Sequence, residues 1–589
     1  MGIAKIWDID GGEWVGLPEG VDELAGLLWK FGSAGVTPRA REEYFWKVVE
    51  LAFNCEGSVC RVVRNGWADR MVRGMIGDGG KKVFVSLVGS SSSGKSHLAA
   101  LYGLVSYWSR PHETWFFVMS TTKSGARGRI WKSVTELFAQ AQRRGCPGKL
   151  LDSIGVIKGV NKLGNVSGNS GIKLLAAGKA DADEACRELL GNKNPNVIVA
   201  ADELPELGQS IIETANNNLS VNDRLAFIGM GNPNRITDPL GDLSEPIGGW
   251  KSVSEADEEW RTKYGMCLRF NAEKSPRIVE PDGEKYHWMP DAAYNERIAG
   301  GRGGKKSRGY YRYVKAFWCP DGAPNSIYGE VEVMENGGMD EEPVWDGEVV
   351  MLSALDPAFA GGGHRNQVAI GKVGKVGGLD RLHVCHYQGL VEDITDKKTP
   401  LSHQIVRQWR ALSEEWGVMP SGAIMDATGS GISFGHIVDA EWSPRVQKVN
   451  FQSVPSDRQG RFGGEDCEYY NKNSELWIQP KEFLRGGQIS GINTECLAEL
   501  VEREFHSKEG RKLRVEGKDD AKKRIGRSPD IADSVLMLVE KAISIGAFRS
   551  EEKKKVRGMI DKGWRKQMQK RCLSTRFGTS LFASGGKRW

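Results

Sequence analysis

Residues 89–96, Gly-Ser-Ser-Ser-Ser-Gly-Lys-Ser, fit G-x-x-x-x-G-K-[ST] without a mismatch. This spacing makes a phosphate cradle. Gly89 and Gly94 let the backbone curl around Ser90, Ser91, Ser92 and Ser93, so that its N–H groups face a β-phosphate. Lys95 then reaches the β and γ oxygens, and the Ser96 hydroxyl holds Mg²⁺. An apolar run at 83–88 reads as the buried strand entering the loop, and 97–101 as the helix leaving it. ATP with Mg²⁺ is the expected ligand. Further along, the apolar strand at 196–201 ends in Asp202-Glu203. Asp202 is expected to hold the Mg²⁺ shell, and Glu203 to orient and deprotonate the attacking water. Asn232 follows another apolar strand, 225–230, and is the candidate sensor of the γ-phosphate. Arg127 and Arg129 follow the strand at 115–119. Either guanidinium can stabilise the charge spreading over a transferring phosphoryl group, in its own subunit or in a neighbour.

The second half of the chain carries a different chemistry. Asp356 ends the strand-like run 352–355, and Asp426 ends the run 423–425. Asp530 and Asp533 open a helix after Ser528-Pro529, and their spacing of three puts both on one face of its first turn. Aspartates at two strand ends and one helix start can converge on two divalent ions, one activating water and one stabilising a leaving 3′-oxygen. Hard oxygen ligands suit Mg²⁺ or Mn²⁺, and no His/Cys set competes. Asp530 alone also reads as a helix cap.

These residues need two scaffolds. Strand–helix alternation over 81–250 predicts a mostly parallel sheet covered on both faces. A helical lead-in is expected at 1–80. The pattern weakens over 251–347, which reads as a lid or linker. It includes the glycine-rich basic segment 300–309 and an acidic stretch at 330–348. Strands near 349–356, 367–373, 381–387 and 422–426, with helices at 402–415 and 530–542, predict a second α/β domain over 348–545. A tail, 546–589, closes the chain.

At 589 residues the chain is long enough for two or three domains. Its net charge of +5 is unevenly spread, with thirteen Lys and Arg against three Asp and Glu over 549–589. A basic arm suits nucleic acid or an acidic protein partner, and equally a solvated tail. No apolar run reaches the ~18 residues of a membrane span, and the first residues lack the apolar core of a signal peptide. The ten cysteines form no C-x-x-C pair, as expected of a reduced cytosolic protein.

A phosphate-loop ATPase followed by this order of aspartates resembles the large terminase subunit, the DNA-packaging motor of tailed bacteriophages. The resemblance runs through the phosphate loop, 197–203, 231–233, 354–357, 425–429, 470–477 and 522–533, and covers about 80–540. It implies an additional-strand ATPase core joined to an RNase H-like mixed α/β nuclease. The activity implied is ATP-driven movement of double-stranded DNA into a prohead, with metal-dependent cutting of the concatemer. The implied partners are a portal ring, a small terminase subunit and further copies of the chain in a ring, expected to be five. The implied location is the host cytoplasm and, transiently, the prohead, but not the mature virion. Many relatives place an arginine inside the phosphate loop, where this chain has Ser90 to Ser93, so a finger from elsewhere is needed. Segment 300–309 and the tail are candidates for DNA contact; the tail equally suits the portal. Two rival readings are a repair or restriction helicase-nuclease, whose strand-separation motifs are missing, and a nucleotide-switched DNA-binding scaffold with an inactive nuclease.

Overall fold

Runs of Val, Ile, Leu and Phe build the first sheet. The computed structural model describes residues 22–548 apart from 55–61, 162, 164, 218–221, 301–303, 320–325, 338–341, 358–365, 430, 457–459, 463–464, 508–511 and 526–527. The basic tail from 549 onward and the centre of the 300–309 segment lie outside the described residues. The chain divides into two units, Met1–Cys319 and Pro320–Trp589.

The first unit holds β1 (Lys82–Gly89), β2 (Thr114–Ser120), β3 (Lys149–Leu151), β4 (Val156–Val160), β5 (Val166–Ala176), β6 (Asn196–Ala201), β7 (Arg224–Gly231), β8 (Glu259–Arg261) and β9 (Met266–Phe270). They lie in the order β3-β4-β5-β2-β6-β7-β1-β9-β8. The six strands from β5 to β9 are mutually parallel, and antiparallel pairing is confined to the two edges. Strand β7 separates β1 from β6, which is the additional-strand arrangement expected from the sequence. Central parallel strands are buried on both faces, which is why they read as continuous apolar runs.

The lead-in helices belong to this unit's core. Helix Pro38–Phe53 starts on a Thr37 cap with proline in its first turn, and helix Gly66–Ile76 starts on Asn65 and stops at Gly77, φ 69°. Phe45, Val49, Met71 and Met75 pack into one cluster with Leu87, Leu98 and Tyr102. The span 251–347, expected as lid or linker, divides differently. Strands β8 and β9 extend the first sheet, with Gly89 opposite Phe270. The first part of the acidic stretch 330–348, expected as linker, forms the helix Glu330–Gly337 in the second unit, with Val333 fully buried. Its acid content is matched locally, because Glu332 pairs with Lys481 (3.2 Å) and Arg485.

The second unit holds β10 (Val350–Asp356), β11 (Asn366–Val376), β12 (Leu379–Leu390), β13 (Ala423–Asp426), β14 (Gln447–Val449), β15 (Gly460–Phe462), β16 (Glu465–Tyr469), β17 (Ile489–Ser490), β18 (Phe505–Ser507) and β19 (Lys512–Val515). Its main sheet runs β14-β13-β10-β11-β12-β17. Strands β10, β11 and β12 form an antiparallel meander, while β13 and β14 run parallel to β10. This is the RNase H-like order. Leu352 and Ala354 of β10 face the core that includes helix Asp530–Ser544. Leu355 faces the opposite core, under helices Leu401–Glu415 and Gly431–Glu441. A smaller sheet, β15-β16-β19-β18, completes the unit. Among the described residues, no helix is long and apolar enough to cross a membrane.

Candidate active sites

The first site forms where β1, β7 and β6 end side by side. Gly94 adopts φ 87° and Ser92 φ 61°, the left-handed turns that wrap the loop. A Cβ at Gly89 would lie 2.9 Å from Ser93 Oγ and 3.2 Å from Lys95 Nζ, so only glycine lets the lysine fold back here. Lys95 Nζ donates to the carbonyls of Gly89 and Ser90 (both 2.8 Å) and to Ser93 Oγ (2.9 Å). Burial pushes the Lys95 ammonium down to about 8, against the opposing pull of Asp202.

Ser96 Oγ donates to Asp202 Oδ1 at 2.9 Å. The two residues expected to share a Mg²⁺ shell therefore meet across the intervening strand. Burial raises the Asp202 carboxyl above its ordinary range, partly offset by the Ser96 hydrogen bond. Glu203 follows with φ 55° and ψ 44°, a left-handed conformation that costs a non-glycine residue ~1–3 kcal/mol and clusters at functional sites. Asn232 lies one residue past β7, between the loop and the acidic pair in strand order. Its Nδ2 is buried without a hydrogen-bond partner among the described residues, as is Ser90 Oγ. These unpaired polar atoms and the glycine-lined cradle fit a bound triphosphate with its Mg²⁺. The Ser91 side chain hydrogen-bonds with that of Tyr294, and Gly94 and Ser92 contribute through their backbone turns.

The two candidate arginines separate. Helix Lys123–Arg127 is capped by Thr122, and a second helix, Ile130–Gln142, begins after Arg129. Arg127 ends the first helix and donates to the carbonyls of Asp152 (3.0 Å) and Ser153 (2.7 Å). Arg129, in the break between them, pairs with the Glu203 carboxylate, and its Nη2 donates to Ser120 Oγ at 3.3 Å. Only Arg129 lies against the site. Arg129→Ala is expected to lower ATP turnover by about 10²–10³-fold, and Arg127→Ala to change it by less than about twofold. Steady-state ATPase assays of both variants check this; equal losses would remove the distinction.

The second site forms because neighbouring parallel strands both end in aspartate. Leu355 of β10 pairs with Met425 of β13, so Asp356 and Asp426 leave the sheet together. Asp356 shares the face of Leu352 and Ala354, over which helix Asp530–Ser544 packs. The first turn of that helix brings in Asp530 and Asp533. One oxygen each from Asp356, Asp530 and Asp533 lie within 4.8 Å of one another, and all three residues are buried. Neighbours fix their orientations. Trp477 Nε1 donates to Asp533 Oδ1 (2.8 Å), Ser528 Oγ donates to Asp530, and the Thr428 N–H and hydroxyl donate to Asp426 Oδ1. Burial raises the Asp356 carboxyl well above its usual range, opposed by Lys518 and reinforced by Asp533, Asp530 and Asp426. Burial likewise raises Asp426 to about 6.

Lys518 was not anticipated from the sequence. Its Nζ lies 2.8 Å from Asp356 Oδ2, 3.0 Å from Asp530 Oδ1 and 3.0 Å from Asp533 Oδ2. Burial pushes the ammonium toward neutrality, but the three carboxylates outweigh it and hold the group well above its ordinary value. The ammonium is held by the three carboxylates that a divalent cation would draw on. A three-carboxylate donor set already gathered around one positive charge fits a hard metal ion, and both helix aspartates belong to it.

No protein-family model and no curated protein matches the chain. Solved structures similar to it are phage large terminases. The large terminase of a thermophilic bacteriophage matches at 13% identity over 79% of this chain and 94% of that chain, TM-score 0.30. Its ADP complex matches at 12% identity with the same coverage, TM-score 0.29. The nuclease domain of the large terminase subunit of bacterial virus Sf6 matches at 16% identity over 36% of this chain and 97% of that chain, TM-score 0.27.

Proposed function

We propose that this chain is an ATP-driven motor that packages double-stranded viral DNA into a prohead and cuts the concatemer with a metal-dependent endonuclease. The observation that carries the reading is the pairing of two built centres on one polypeptide. One is a phosphate loop joined to an acidic strand end through Ser96 and Asp202. The other is a buried carboxylate triad on an RNase H-like sheet.

In the first centre, Lys95 and the loop N–H groups would bind the triphosphate, and Ser96 and Asp202 would hold Mg²⁺. Glu203 would take a proton from water, and Arg129 would face the charge that spreads over the phosphoryl group. In the second, Asp356, Asp426, Asp530 and Asp533 would hold two Mg²⁺ or Mn²⁺. When bound, these ions would supply an ionised water and a counter-charge for the leaving 3′-oxygen. DNA contact should fall mostly on phosphates, since a packaging motor has to be indifferent to sequence. The proposal includes action on a portal ring as a ring of copies, with a small terminase subunit choosing the DNA, in the host cytoplasm.

A packaging assay with matched proheads tests it. DNA should become protected from added nuclease only when ATP is present. Strand displacement from a forked duplex would instead support a helicase-nuclease. Nucleotide binding with neither turnover nor cutting would support a switched scaffold.

A further inference from the structure

A cavity of about 960 Å³ opens beside the carboxylate centre, and its wall includes Asp426 and Lys518. The volume lies at the upper end of small-ligand sites, about 300–1,000 Å³. The remaining wall combines three kinds of group. Tyr470 and Val454 are exposed apolar surfaces, 43% and 64% accessible. Lys512 and Arg514 are cations. Asn473 has its Oδ1 buried without a hydrogen-bond partner among the described residues.

The two cations are not equivalent. Glu468 lies 3.5 Å from Lys512 and offsets its charge. Arg514 has no carboxylate partner among the described residues and instead lies over the Tyr470 ring, 4.8 Å from its centroid. Strand pairing sets this stack. Tyr469 of β16 is opposite Leu513 of β19, and the Tyr470 N–H donates to the Leu513 carbonyl at 2.8 Å, so the next two side chains fall side by side. A guanidinium held over a ring is restrained in place, and its planar fork suits phosphate better than a free lysine does. Apolar faces next to an oriented cation match a nucleotide chain, whose bases offer flat surfaces and whose backbone offers phosphates. The unpaired Asn473 acceptor calls for a donor, which a base amine has and a phosphate lacks.

We infer that this cavity receives the DNA strand adjoining the bond to be cut, with Arg514, braced by Tyr470, binding a backbone phosphate. The inference rests on the nuclease reading of the carboxylate centre. It adds a strand-binding site to that reading, on an element separate from the 300–309 segment and the tail.

The test uses the full chain in two arms. Binding of a fluorescent duplex is measured in EDTA across a salt series, and plasmid cutting is measured in Mn²⁺. Arg514→Ala should raise the KM for cutting by about tenfold with kcat little changed. It should also make the salt dependence of log affinity shallower by about 0.7–0.9, the share of one phosphate contact. Arg514→Lys should keep the salt slope and recover part of the affinity, Tyr470→Phe should behave as the parent, and Tyr470→Ala should resemble Arg514→Lys. Mn²⁺ affinity and melting temperature should not move in Arg514→Ala. An unchanged KM and salt slope in Arg514→Ala would overturn the inference. So would a KM change accompanied by weaker Mn²⁺ binding or a lower melting temperature, which would make Arg514 a packing residue. If the parent chain fails to cut, the nuclease reading falls, and the EDTA arm still decides whether Arg514 contacts a phosphate.

Discussion

Lys95→Ala should lower ATP turnover by about a thousandfold while leaving Mn²⁺-dependent DNA cutting intact in the same full-length protein. The side chain is already drawn into the loop by three oxygens at 2.8–2.9 Å. Its loss removes the loop's own cation for the β and γ oxygens, and the rest of the loop, glycine and serine, offers no other. Glu203→Gln should give a similar loss through a different step, since the amide keeps the shape but cannot take a proton. It should bind ATP normally. The carboxylate triad belongs to the other unit of the chain, so cutting should persist in both variants. Loss of cutting with an unchanged melting curve would mean that the two centres are not independent. The parent protein also has a pH signature. Burial brings Lys95 down to about 8, so ATP affinity should be flat below that pH and fall as pH rises through it. The sign for folding is opposite. Between about 8 and the ordinary lysine value the unfolded chain binds the extra proton, so without added nucleotide the fold gains stability with rising pH there. The increase in melting temperature caused by ATP should therefore shrink as pH rises above 8.

What the sequence disclosed is what local pattern can encode. A phosphate loop is a contiguous run, and its strand and helix flank it directly, so Gly89 to Ser96 needed no tertiary information. Buried parallel strands announce themselves as apolar runs, and so Val197 to Ala201 and Leu352 to Asp356 were legible with their terminal acids. The choice between Arg127 and Arg129 was not. It depends on a helix break between them, which turns one side chain to the Asp152 carbonyl and the other to Glu203. The acidic stretch at 330–348 reads as a linker because the partners of Glu332, Lys481 and Arg485, are distant in sequence. The Tyr470–Arg514 stack is set by pairing between two separated strands. Lys518 sits in Gly-Lys-Asp-Asp, which composition alone reads as solvated surface. Its position is visible only once three aspartates from two elements have been brought around it.

That lysine makes the second large effect specific. Asp356→Asn should abolish Mn²⁺-dependent cutting, a loss of about a thousandfold or more, and leave ATP turnover untouched. Asp356 is buried against both helix aspartates, so no solvent-facing group can replace its charge there. Lys518→Ala acts on the same triad from the opposite side. Without the ammonium, three buried carboxylates repel one another, and breaking such a network costs about 3–5 kcal/mol. In EDTA the variant should therefore melt at a lower temperature than the parent. A divalent ion then has no ammonium to displace. Mn²⁺ should bind more tightly, by about ten- to a hundredfold, and restore most of the lost stability. The gain should depend on pH. Burial raises Asp426 to about 6 and Asp356 well above its usual range, so protons compete with the metal in acid and affinity should climb as pH rises through 6. Isothermal titration with Mn²⁺ and melting curves with and without EDTA measure each part. If Lys518→Ala leaves both the EDTA melting temperature and the Mn²⁺ affinity where they were, the ammonium does not occupy the cation position, and the triad is not the metal centre described above.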